Sequence, residues 1–122
     1  MKRTRLMASA AVLAMMAGSL LTAAPAQAAQ SCRATASAPT YQAGTIVYSG
    51  GVTCSQQATE ISITVILEMD GNEVADTANS CIFTYSCYDT GLYPNRSGNQ
   101  RWCTRVTATN LLGARQCESQ NW

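Results

Sequence analysis

Glu60-Ile61-Ser62-Ile63-Thr64-Val65-Ile66-Leu67-Glu68-Met69 is the stretch on which the fold turns. Ile61, Ile63, Val65, Leu67 and Met69 fall on one face of an extended chain, and Ser62, Thr64 and Glu68 fall on the other. That period of two predicts a strand with one face buried and one face wet. Asp70-Gly71 follows directly, a dipeptide whose tolerance of positive φ suits a tight hairpin turn. A return strand is predicted over 73–78.

Working outward, 33–38 and 45–54 read as two strands joined through Pro39-Thr40-Tyr41-Gln42-Ala43-Gly44, with Gly50-Gly51 marking a bulge or bend in the second. A short strand over 81–86 holds Ile82, Phe83 and Tyr85. Turn residues, including Pro94-Asn95 and Ser97-Gly98-Asn99, predict a long loop over 88–100. The last two strands, 101–109 and 114–119, flank Asn110-Leu111-Leu112-Gly113. Beyond residue 28 no stretch longer than about eight residues carries apolar positions at helical spacing. The expectation is an all-β chain, a small immunoglobulin-like two-sheet β-sandwich of about seven strands stapled by three disulfides.

Residues 1–28 have the three parts of a secretory signal peptide: the positive start Lys2, Arg3 and Arg5, an apolar run from Leu6 to Leu21, and the small-residue site Ala26-Gln27-Ala28. The run is short for a membrane span and Pro25 follows it closely. Cleavage is placed after Ala28, leaving one domain, 29–122, secreted to the extracellular space with no membrane attachment. Lys2, Arg3 and Arg5 leave with the signal, so five arginines face seven acidic residues and the mature net charge is −2. No lysine remains, and Arg33, Arg96, Arg101, Arg105 and Arg115 are scattered. Nothing resembles the basic stripe that nucleic acid requires.

So short a chain buries only about 60 to 65 per cent of its unfolded surface, and staples are expected. In an oxidising compartment its six cysteines read as three disulfides. A metal site is not expected, because the chain has no histidine and no C-x-x-C pair. Six cysteines allow fifteen connectivities, among which hairpin geometry ranks but does not choose. Cys32 and Cys54 lie equidistant from Ala43, and Cys103 and Cys117 equidistant from Asn110. Each pair would face itself across its own hairpin. Cys81 and Cys87 remain to close a local loop. The rival is a bridge between sheets from Cys54 to Cys103. Strand parity opposes it, since Trp102, Val106 and Ala108 form the apolar face of their strand and Cys103 shares the other with Arg105, Thr107 and Thr109.

The run 44–54, the alternating strand 61–67, the pair Cys81 and Cys87, and Trp102-Cys103-Thr104-Arg105 together resemble small secreted, Ser/Thr-rich, six-cysteine immunoglobulin-like β proteins of actinobacteria. The Ala-rich signal with its Arg-bearing start is similar too. The resemblance covers most of the mature chain as a pattern of spacings. It implies compartment and fold, and it brings no established activity, ligand or catalytic residue.

Without histidine there is no Ser-His-Asp or Cys-His arrangement, and without a mature lysine no Ser-Lys one. Glu60, Glu68, Asp70, Glu73, Asp76 and Asp89 could supply a carboxylate pair of the glycosidase kind. Glu68, Asp70 and Glu73 surround a turn, however, and read better as solvated charges. Weak calcium binding by Asp70, Asn72 and Glu73 lacks the EF-hand spacing. The expectation is a protein that is not an enzyme and holds no cofactor and no metal.

The candidate binding surface is the 88–100 loop, with Tyr88, Tyr93, Arg96 and Arg101 as its members, because rigid β scaffolds present contacts on loops. Trp102 reads as core and Trp122 as a chain end. Three functions fit: a binding or interaction module for an extracellular protein or cell-wall partner, an inhibitor of a secreted protease or glycosidase with Cys87 and Cys103 framing its loop, or a carrier of an apolar small molecule. The last rests on resemblance to the immunoglobulin-like chromoprotein apoproteins.

Overall fold

The computed structural model describes residues 31–122, which form five antiparallel strands: β1 (Cys32–Gln42), β2 (Thr45–Met69), β3 (Asn72–Pro94), β4 (Asn99–Ala108) and β5 (Ala114–Asn121). The signal segment 1–28 and its cleavage site lie outside the described residues.

Five strands stand where seven were expected, because two anticipated breaks are continuous chain. Residues 54–60 carry 45–54 straight into 60–69 as β2, and β3 runs from the Asp70-Gly71 turn through to Pro94. The predicted 88–100 loop is therefore mostly strand, and only 95–98 lies between β3 and β4. Its turn residues have other uses. β3 pairs with β2 alone, so Pro94 at its end takes no ladder bond from a second neighbour. Gly91 lies under the Tyr48 ring, where any Cβ would collide, and the Asp89 carboxylate accepts a hydrogen bond from Thr77 Oγ1 (2.6 Å).

β2 is the spine. β3 occupies one of its edges for the whole length, while β1 takes residues 45–54 of the other edge and β4 takes residues 63–69. β5 completes the sheet beside β4. The sheet curls, bringing β1 against β4 and β5. Its inner surface makes one core, in which Ile46, Tyr48, Val52 and Cys54 from the first half of β2 meet Ile61, Ile63, Val65 and Leu67 from the second. Inward positions are even in the first half and odd in the second. The irregularity between Thr53 and Ala58 in the β2 to β3 register supplies the change of phase, as a bulge does when it bends a strand and re-aims its side chains. Trp102 is fully buried in this core, with the Tyr93 ring 6.2 Å away.

Two of the hairpin turns are two-residue corners in left-handed conformation, Ala43-Gly44 (φ 50° and 84°) and Asp70-Gly71 (φ 51° and 86°). The first is tighter than the six-residue connection expected. β1 continues to Gln42 instead, with a register shift between Ser37 and Thr40.

The bridges join Cys32 to Cys54, Cys81 to Cys87 and Cys103 to Cys117. The first and third link directly opposed residues of the β1/β2 and β4/β5 ladders. Cys54 and Cys87 belong to the core cluster. Cys103 does not, yet it is only 1% exposed, so the outward face on which parity puts it is covered rather than wet. Glu68, its cross-strand neighbour on β2, receives Arg105 Nε (3.2 Å) and Arg115 Nε (2.9 Å) on its two oxygens.

Candidate functional site

The feature that stands out lies on β3 around its two cysteines, Cys81 and Cys87, at residues 80–86. Here the strand doubles over. Asn79 Nδ2 donates to the Tyr88 carbonyl (2.8 Å) and Thr77 Oγ1 to Asp89 (2.6 Å), so the segments before and after are tied to each other. The Cys81 to Cys87 bridge closes the base of this arch, with 5.6 Å between the Cα atoms. At its top Phe83 has φ 49°, and Gln57 of β2 donates through Nε2 to the Phe83 carbonyl (3.1 Å). A bulky residue is seldom left-handed without surrounding contacts that hold it there.

The arch displays Ile82, Phe83 and Tyr85 to solvent, at 62%, 67% and 56% exposure. Three large apolar side chains on seven residues are more than the scattered surface apolar groups a domain normally shows. Residues 81–86 were read from the sequence as an ordinary strand, and Ile82, Phe83 and Tyr85 as its members. The signal that could have found the site was the six-residue spacing of Cys81 and Cys87, because on one straight strand their Cα atoms would stand about 20 Å apart, too far for a bridge, so the chain between them must bend.

The four residues expected to form a contact surface do not come together. Tyr88 and Tyr93 are an odd number of positions apart on one strand, so they point to opposite faces. Tyr88 faces out across from Gly51, and Tyr93 packs beside Trp102. Arg96 is exposed in the short 95–98 link, whose Asn95 N–H bonds to the Gly44 carbonyl (3.0 Å). Arg101 lies near the start of β4 beside the β2/β3 corner, where its N–H donates to Asp70 Oδ1 (2.9 Å). Trp122, read as a chain end, stacks on Tyr41 at 5.8 Å.

Tyr88 is held flat. Its hydroxyl shares a hydrogen bond with Thr53 Oγ1 (2.7 Å), and its ring lies over Gly51 so closely that any Cβ there would strike it. The ring's outer side remains open, with the residue 54% exposed. Tyr48 is the inward counterpart. Burial, and then the carboxylates of Asp76 and Asp89, push its phenol above the ordinary 10.0.

Two clefts border the β2 bend. One, of about 390 Å³, opens beside the Cys32 to Cys54 bridge and has a mixed lining, with Val52, Ile61 and Leu111 beside Glu60, Thr109 and Asn110. The other, of about 620 Å³, runs over Ser62, Asn79 and Thr107. Near it Ser62 Oγ and Ser80 Oγ are 3.2 Å apart, and Ser80 Oγ donates to Glu60 (2.9 Å). Serine hydroxyls on a solvent-exposed carboxylate have no strong base to activate them. Among the described residues no group of three His, Cys, Asp or Glu side chains could hold a metal ion, and no helix is long and apolar enough to cross a membrane. Compared with known protein families and with curated proteins, the chain matches none.

Proposed function

We propose that the mature chain is a secreted, non-enzymatic binding module that engages an extracellular protein partner through the 80–86 arch. The observation that carries this is the exposure of Ile82, Phe83 and Tyr85 on a segment whose backbone is fixed by a disulfide and by Gln57. Aromatic side chains on a pre-ordered backbone lose little freedom on binding, so more of their buried area appears as affinity. Three disulfides in a chain of this size suit an oxidising extracellular space. We read the curled sheet as an immunoglobulin-like two-layer sandwich folded from one ribbon, a reading supported by the shared core of the two halves of β2.

The test compares the mature protein with an Ile82→Ser/Phe83→Ser/Tyr85→Ser variant as baits in the native culture medium and cell-wall extract. Proteins captured by the first and not by the second support the arch, while an unchanged capture profile removes it. A panel of proteases and glycosidases addresses inhibition on the same samples. The positive φ of Phe83 takes the arch away from the extended form in which peptides add to a protease cleft, which favours a partner of another kind. The carrier reading is supported by the size of the 390 Å³ cleft alone, since Glu60, Ser62, Thr109 and Asn110 line it beside Val52, Ile61 and Leu111. Absorbance of protein purified from its native host tests it, a protein with no bound chromophore counting against it.

A further inference from the structure

The outward face of the first half of the sheet differs in character from the arch. Register places Thr35, Gly51 and Tyr88 in one cross-strand row, with Ser37, Ser49 and Thr90 in the next. Thr53 lies beside them, directly across from Arg33. Opposed residues of an antiparallel pair share a face, so Tyr88 stands in a field of serine and threonine hydroxyls. Asp89 points the other way, and Arg33 at the margin is the one charge that these rows present. Leu92 and Val47 form the next row along.

The ring of Tyr88 is built in. One side rests on Gly51, the hydroxyl is anchored on Thr53, and a side chain at 51 is excluded by the ring and by the Cys87 carbonyl. A flat aromatic surface fixed parallel to a sheet, open on its outer side and ringed by hydroxyls, is complementary to a ligand that is itself flat, apolar on its ring faces and hydroxylated at its rim. A pyranose has that shape. Its axial C–H groups lie on the π face, and its equatorial hydroxyls reach donors and acceptors alongside. A protein partner would need a larger apolar centre than one tyrosine and one leucine provide, and an anionic ligand would need more cations than Arg33.

We propose that this face binds a neutral polysaccharide, one sugar ring stacking on Tyr88 with hydroxyls engaging Thr35, Ser49, Thr53 and Thr90. The site is separate from the arch and stands whether or not the arch has a partner. The experiment incubates the mature protein with insoluble cellulose, chitin and β-1,3-glucan and measures what remains in solution, for wild type, Tyr88→Ala, Tyr88→Phe, Thr53→Val and Phe83→Ser. Wild type is expected to be depleted by at least one of the three. Tyr88→Ala should weaken that binding about tenfold or more, and Tyr88→Phe, which keeps the ring, by no more than about threefold. Thr53→Val changes an exposed position that leaves the core intact, so it reports on the site even if Tyr88→Ala folds poorly, and it should bind more weakly than wild type. Phe83→Ser should bind as wild type does, which separates this face from the arch. Failure of wild type to bind any of the three polysaccharides, or binding by Tyr88→Ala and Thr53→Val equal to that of wild type, overturns the proposal.

Discussion

Replacing Cys103 and Cys117 together by Ala should cost about 3 kcal/mol, a figure that follows from the loop the bridge closes. The two residues are 14 apart, and the loop-entropy relation gives about 3 kcal/mol at that length for the restraint lost from the unfolded chain. The same relation gives about 3.4 kcal/mol for the 22-residue separation of Cys32 and Cys54 and about 2.2 for the 6-residue separation of Cys81 and Cys87. Removing the nearly buried Cys103 sulfur also forfeits packing on that face, so the 103/117 variant should not fall below its entropic figure. For a domain this size the change amounts to a fall in Tm of roughly 12 to 24 °C. Guanidinium unfolding followed by tryptophan fluorescence reads it well, since Trp102 adjoins Cys103 and Trp122 lies just beyond β5. The slope of the transition should steepen, because a less restrained unfolded chain exposes more surface. Peptide mapping of the unreduced variant should still find Cys32 with Cys54 and Cys81 with Cys87. A loss of less than about 1 kcal/mol, or a mapped peptide with exchanged partners, would refute the view that each bridge staples its own ladder.

Thr104 is fully buried and its hydroxyl meets no partner among the described protein groups, so Thr104→Val should raise stability by up to about 1 kcal/mol in denaturant unfolding, and a clear loss would show that the hydroxyl is satisfied. Glu68→Ala leaves Arg105 and Arg115 converging without their shared anion. It should cost about 1 kcal/mol at low salt and less as salt is raised, whereas a salt-independent cost would point to packing instead. The Tyr48 phenol stays protonated in the fold to higher pH than in the unfolded chain, so its contribution is fully present below pH 10.0 and is lost as pH rises through the folded value. Stability should therefore fall above pH 10.0, and Tyr48→Phe should flatten that fall; an unchanged slope would mean that another group causes it.

The hairpin of 60–69 was legible because one strand face is buried throughout, and Asp70-Gly71 turns where such a dipeptide should. The corner at Asn110 (φ 61°) and the pairs Cys32 with Cys54 and Cys103 with Cys117 were legible for a related reason, since local symmetry about a turn is visible without knowing the fold, and Cys81 with Cys87 followed as the pair left over. The continuity of β2 was not. Ser55, Gln56 and Gln57 are exposed side chains with no alternation to follow, and a bulge removes the periodicity by which strands are recognised. The 88–94 run was misread for a different cause. Gly91, Asp89 and Pro94 are turn formers in isolation, but here they meet a tyrosine ring, a threonine hydroxyl and an open sheet edge, all long-range partners. The arch was hidden because Ile82, Phe83 and Tyr85 have the composition of a buried strand. Only the three-dimensional bend puts them outside.

Every bridge joins a cysteine to the next one along the chain. A polypeptide entering an oxidising space amino end first would present Cys54 while Cys32 was the only available thiol, then Cys87 with Cys81, then Cys117 with Cys103. Oxidation in order of arrival thus produces the native set, with no wrong pair to undo. Refolding from the fully reduced chain offers all fifteen connectivities at once and should depend on thiol exchange in a way that biosynthesis would not.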